Sequence, residues 1–121
     1  MYKRIFGRIY FENKGNAQMY SQSDINNIIN KFISLVSVEF PLKSVYLFGS
    51  YANGKAKEYS DVDLAVVSDE FEGSRFFDKK KLNKYILQTS TDLEVHPFRT
   101  DDFTEDNPFA KEIMQTGLKI K

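Results

Sequence analysis

The sequence predicts an α/β (α+β) domain in which helices pack against one mixed β-sheet. Three observations carry that reading. Two short runs, Ser44–Phe48 and Val62–Val67, are too apolar for solvated strands and read as buried ones. A stretch with helical apolar spacing precedes them and two more follow, so helices and strands interleave along the chain. A length of 121 residues, 41% hydrophobic and 28% charged, suits one globular domain with a real core and leaves no room for two.

The elements follow in order. Residues 2–11 alternate, with Ile5, Gly7, Ile9 and Phe11 on one side and Arg4, Phe6, Arg8 and Tyr10 on the other. That predicts a strand or arm over residues 1–20, ahead of a domain over 21–121. Ser23 is the expected N-cap of the first helix, whose apolar face is Ile25, Ile28, Ile29, Phe32 and Val36, and Pro41 blocks its continuation. Ser44–Phe48 is the next strand and Gly49 ends it; residues 51–60 hold one helical turn and a polar loop. Val62–Val67 reads as a central strand from its β-branched content.

A second helix is expected over Phe76–Thr89, with Leu82, Tyr85, Ile86 and Thr89 inward and Lys79, Lys80, Lys81 and Lys84 mostly on a solvated face. Thr91–Phe98 alternates as a strand, and Pro97 places it at a sheet edge or a strand end. Asn107-Pro108 supplies the N-cap and first residue of a third helix, Gly117 closes it, and Leu118 and Ile120 suggest a last short strand.

Composition narrows the function classes. Seventeen basic residues balance seventeen acidic ones, so direct nucleic-acid binding is not expected from charge. The absence of cysteine excludes disulfides, thiolate catalysis and cysteine-ligated zinc. No apolar run approaches the roughly 20 residues that span a bilayer, and the expected location is cytoplasmic.

The chemistry concentrates in one stretch. Asp61 and Asp63 are two apart on a strand, so both carboxylates share a face, where they repel one another unless a cation sits between them. A hard divalent ion such as Mg²⁺ suits such oxygen ligands, and a pair of ions about 4 Å apart is the arrangement that stabilises phosphoryl-type displacement. Glu94 or Asp92, on a later strand, is placed to supply a third carboxylate. Gly49-Ser50 complements the acids: glycine lets the backbone approach an anion, and the amides and hydroxyl that follow can bind phosphate oxygens. Lys55 and Lys57 lie in the same connection and would neutralise a triphosphate. His96 shares a predicted face with Glu94 and reads first as a structural or exposed histidine.

Leu47-Phe48-Gly49-Ser50-Tyr51-Ala52-Asn53-Gly54 with Ser60-Asp61-Val62-Asp63-Leu64 resembles the signature of the DNA polymerase β-type nucleotidyltransferases, and more narrowly of the minimal nucleotidyltransferases (MNT proteins) of prokaryotes. The resemblance implies a polymerase β palm-like fold and metal-dependent transfer of a nucleoside monophosphate from a nucleoside triphosphate. Carried onto this chain, Gly49 and Ser50 would hold the triphosphate of ATP. Asp61 and Asp63 would bind two Mg²⁺ ions, and Glu94, deeper in its strand than Asp92, would complete the catalytic set. Many relatives carry arginine where this chain has Asn53, and often at Tyr51, which puts the triphosphate contacts in doubt unless Lys55 or Lys57 substitutes.

Little chain remains beyond that core to shape an acceptor pocket. The resemblance therefore implies an adenylyltransferase antitoxin that AMPylates and silences a HEPN-domain ribonuclease toxin. Two alternatives stand beside it: nucleotidyl transfer to a small hydroxylated molecule such as an aminoglycoside, and a non-catalytic module that blocks a toxin by binding alone.

Overall fold

The computed structural model describes residues 20–57 and 60–121. The strand predicted over residues 2–11 lies outside them. Helix α1 (Gln22–Val36) leads to β1 (Ser44–Phe48), a single turn α2 (Ser50–Asn53), β2 (Val62–Ser68), α3 (Arg75–Thr89), β3 (Leu93–Arg99), α4 (Pro108–Thr116) and β4 (Leu118–Lys119). The four strands form one sheet in the order β3-β2-β1-β4. β1 runs antiparallel to both β2 and β4, whereas β2 and β3 are parallel, so the sheet is mixed as predicted. β2 is internal, and among the described residues β3, with Pro97, is an edge strand, where a missing backbone donor is tolerated.

Helix α1 forms because Ile25, Ile29, Phe32 and Val36 recur on one face, and all four are fully buried. Each such side chain contributes on the order of 1.5–3 kcal/mol on leaving water. Its N-cap is Ser21 rather than Ser23: Ser21 Oγ accepts the Asp24 N–H at 3.0 Å while Asp24 accepts the Ser21 N–H at 3.2 Å. That reciprocal pair satisfies two donors at once, one of them with the ionised carboxylate of Asp24. Helix α3 starts at Arg75, one residue earlier than its apolar spacing suggests, because Ser74 accepts the Phe77 N–H. Its buried face holds Leu82 and Ile86 and also Asp78, whose carboxylate accepts the backbone N–H groups of Glu72 and Gly73 at 2.8 and 2.9 Å. Asn107 and Pro108 open α4 as the sequence predicts.

Strand register decides what faces what. Residues paired across neighbouring strands point the same way, so β1, β2 and β3 build parallel rows. Leu47, Leu64 and Val95 form one row of the core shared with α1 and α3. The opposite sheet face carries Phe48, Asp63 and Glu94 in one row and Tyr46, Ala65 and His96 in the next. Helix α4 lies near this second face, with the Phe109 ring 5.7 Å from those of Phe48, His96 and Phe98. Among the described residues no helix is long and apolar enough to cross a membrane.

Candidate active site

The antiparallel turn from β1 to β2 and the parallel pairing of β2 with β3 bring three chemically distinct groups to one end of the sheet. The C-terminal end of β1 delivers Gly49 and Ser50 there, the N-terminal end of β2 delivers Asp61 and Asp63, and the N-terminal end of β3 delivers Glu94.

Gly49 caps α2 with φ 78° and ψ −156°, a conformation essentially reserved for glycine. Its backbone lies so near Asp63 that a Cβ at this position would stand 2.4 Å from Asp63 Oδ2. Ala52 and Asn53 donate back to the Gly49 carbonyl at 3.0 and 3.1 Å, closing the turn. Tyr51 is fully buried and its hydroxyl accepts the Tyr20 N–H at 3.1 Å, so this side chain belongs to the core. Asn53 accepts the Lys55 N–H at 3.0 Å and shapes the loop. Lys55 and Lys57 are both exposed on the connection that follows.

Asp63 and Glu94 are directly paired in the β2–β3 register. Asp92 precedes β3; its carboxylate accepts a hydrogen bond from the Tyr20 hydroxyl, and its carbonyl accepts the Val62 N–H at 2.9 Å. Asp61 lies exposed just before β2. Desolvation, then repulsion from Asp63, Glu94 and Asp92, raises its carboxyl above the ordinary carboxylate value. Glu94 goes the other way: a hydrogen bond from Lys79 Nζ at 2.7 Å holds its carboxyl below the usual range.

Two basic residues of α3 thus enter the site: Arg75, and Lys79, which was expected on a solvated helix face. Lys79 meets Glu94, and Arg75 meets His96 Nδ1 at 2.8 Å. His96 is buried rather than exposed, and its Nε2 lies 3.3 Å from Asp63 Oδ1. Arg75 and Lys79 are four apart and so share one face of α3, but that spacing alone does not say which surface the face meets.

The donor set suits a hard cation. Asp61, Asp63 and Glu94 offer only carboxylate oxygens, and the repulsion among them, which adds to desolvation in raising the Asp61 carboxyl, is what a divalent ion would relieve. As arranged, no three acidic or histidine side chains among the described residues form a metal-binding cluster; Glu94 is turned to Lys79 and Asp63 to His96. Lys79 takes only Oε2 of Glu94, so the second oxygen of that carboxylate remains to meet a cation.

Comparison with known proteins points the same way. The nucleotidyltransferase domain family matches residues 26–115. A candidate protein adenylyltransferase of Methanocaldococcus jannaschii is 35% identical over 100 residues, covering 83% of this chain and 97% of its own length. A second from the same organism is 41% identical over 66 residues, which is 53% of this chain but only 45% of that relative. A Haemophilus influenzae protein, also named as a protein adenylyltransferase, is 57% identical over 30 residues, 25% of this chain and 26% of its own. The crystal structure of a candidate nucleotidyltransferase from Sulfolobus solfataricus has the same fold, with a TM-score of 0.53 and 20% identity over 87% of this chain and 90% of its own.

Proposed function

The chain belongs to the nucleotidyltransferase domain family, and from that membership we propose that it transfers AMP from Mg²⁺-ATP to a hydroxyl group of a partner protein. The observation that carries this reading is the row Phe48–Asp63–Glu94 with the Gly49 backbone pressed against the Asp63 carboxylate. It puts an anion-tolerant turn and paired acids at one sheet end. Relatives named as protein adenylyltransferases support a protein acceptor.

In this reading Gly49 and Ser50 hold the triphosphate, and Lys55 and Lys57 offset its charge. Asp61, Asp63 and Glu94 would hold Mg²⁺, which would supply Lewis-acid stabilisation of the attacking and leaving oxygens. The acceptor oxygen bonds to the α-phosphorus, the α–β bridging bond breaks and pyrophosphate leaves. The hydroxyl proton passes to a carboxylate of the site. While Lys79 donates to it, Glu94 stays ionised, the state a cation ligand needs, and is a weak base. The acceptor is a HEPN-domain ribonuclease toxin, which the modification silences.

The test is intact-mass spectrometry of both proteins after incubation with Mg²⁺, ATP and the product of the neighbouring gene. One AMP mass gained by the partner, and lost with an Asp61→Ala, Asp63→Ala double variant, is the expected result. No adduct on either protein would overturn the proposal. Protection from the partner by the double variant as strong as by the parent would instead make the chain a binding module.

A further inference from the structure

The sequence contains one histidine, and it sits in the site without a role in the chemistry above. His96 leaves β3 on the row occupied by Tyr46 and Ala65, one step beyond Asp63 and Glu94. Ala65 is small, so the imidazole can lean across it to put Nε2 3.3 Å from Asp63 Oδ1. Its ring is braced by two others, with centroids 4.9 Å from Phe48 and 5.7 Å from Phe109. Only 11% of its side chain is exposed.

The other ring nitrogen settles the hydrogen-bond direction. Arg75 Nη2 lies 2.8 Å from His96 Nδ1. A guanidinium has only N–H donors, so Nδ1 must present its lone pair. The ring proton then stands on Nε2 and is donated to Asp63 Oδ1. The chain Arg75 to His96 to Asp63 has one polarity throughout.

We propose that His96, held in its Nε2–H form by Arg75, is a positioning residue that fixes the Asp63 carboxylate for cation binding. This rests on the reading of Asp63 as a cation ligand. An Nε2–H donated to Oδ1 occupies that oxygen and directs Oδ2 toward the Gly49 side, where the backbone approaches it. Outer partners of metal ligands act this way, orienting a group that would otherwise rotate.

The test has two readouts. In ¹⁵N-labelled protein without metal, the lone histidine gives a single pair of imidazole nitrogen signals in a long-range ¹H–¹⁵N correlation. The expected pattern is protonated Nε2 with bare Nδ1, replaced in an Arg75→Ala variant by a mixture of forms. A proton on Nδ1 in the parent protein would overturn the proposal. The second readout is Mn²⁺ affinity by titration calorimetry. His96→Phe keeps an aromatic ring between Phe48 and Phe109 but no donor, and is expected to weaken binding about 10-fold or more. His96→Gln, whose amide can donate from nearly the Nε2 position, recovers most of the loss. Equal affinity in the parent and His96→Phe would overturn the positioning role, as would equal weakening by both substitutions. A parent protein that binds no Mn²⁺ at all would count against the nucleotidyl-transfer reading, and the imidazole signals alone then decide the Arg75–His96–Asp63 chain.

Discussion

Substituting Gly49 with alanine separates backbone from site. Two penalties arise in the folded state. The φ of 78° with ψ of −156° lies where L-residues are strained by about 1–3 kcal/mol. The new Cβ would also stand 2.4 Å from Asp63 Oδ2, about 1 Å inside ordinary contact, and forced overpacking costs about 1–3 kcal/mol more. The sum is on the order of 4 kcal/mol. With a urea dependence of about 1.5 kcal/mol per molar, the unfolding midpoint falls by about 2.7 M. Gly54 is the natural control, because its φ is 79° but nothing lies within 4 Å of its Cβ position. Gly54→Ala should cost about 1–2 kcal/mol and leave the site untouched. Displacing the Asp63 carboxylate by about 1 Å should lower AMP transfer about 100-fold in Gly49→Ala alone. Adding Asp63→Ala removes the two atoms that the Cβ approaches closest, at 2.4 and 3.2 Å. In urea titrations of the four proteins, the pair should therefore show a coupling of about 1–3 kcal/mol. Additive losses for Gly49→Ala and Asp63→Ala would refute the clash.

Three further outcomes are expected. Asp78→Ala strips two hydrogen bonds from the backbone of Glu72 and Gly73 to a buried carboxylate, and should cost about 2–4 kcal/mol in urea unfolding. Lys79→Met should raise the Glu94 carboxyl toward its ordinary value, read by ¹³C chemical shift against pH. The pair is partly exposed and stabilises by at most about 1 kcal/mol, present above the unfolded Glu94 value and lost as pH falls through the depressed one. Asp61 has a raised folded-state value, so its ionisation opposes folding as pH rises from 3.8 through that value. Asp61→Asn should accordingly raise the melting temperature slightly at pH 7 without metal, with the gain vanishing below the unfolded value; a loss at pH 7 would contradict the repulsion inferred among the acids.

Much of this fold is written in short-range pattern. The β-branched run of β2 and its five-residue partner Ser44–Phe48 form because a continuous apolar segment has few alternatives to a buried strand. Asn107, Pro108 and Gly117 bound α4 by local backbone chemistry alone. The Ser21 cap was also readable, since Ser21 and Asp24 have capping-box spacing, but two serines two residues apart compete and the reciprocal bond decides between them. The site was legible where spacing fixes direction. Asp61 and Asp63 are neighbours in sequence, whereas Glu94 enters through the pairing of β2 with β3, which sequence suggests only as a class of fold. Arg75, Lys79 and the burial of His96 were not legible. They depend on how α3 crosses the edge of β3, and helix-to-sheet placement leaves no mark in the periodicity of either element. The assignment of Tyr51 to the core has the same origin: its hydroxyl meets the backbone of Tyr20, 31 residues away.

The polarity of β4 bears on how the protein can be handled. β4 runs antiparallel to β1, from Leu118 beside Leu47 to Lys119 beside Tyr46, and Val45 then donates to the Lys121 carbonyl at 3.1 Å. Lys121 is therefore carried about 13 Å of strand away from Gly49 and the carboxylates. A dye, bead or surface tether joined at Lys121 is attached at the far end of β1 from Gly49.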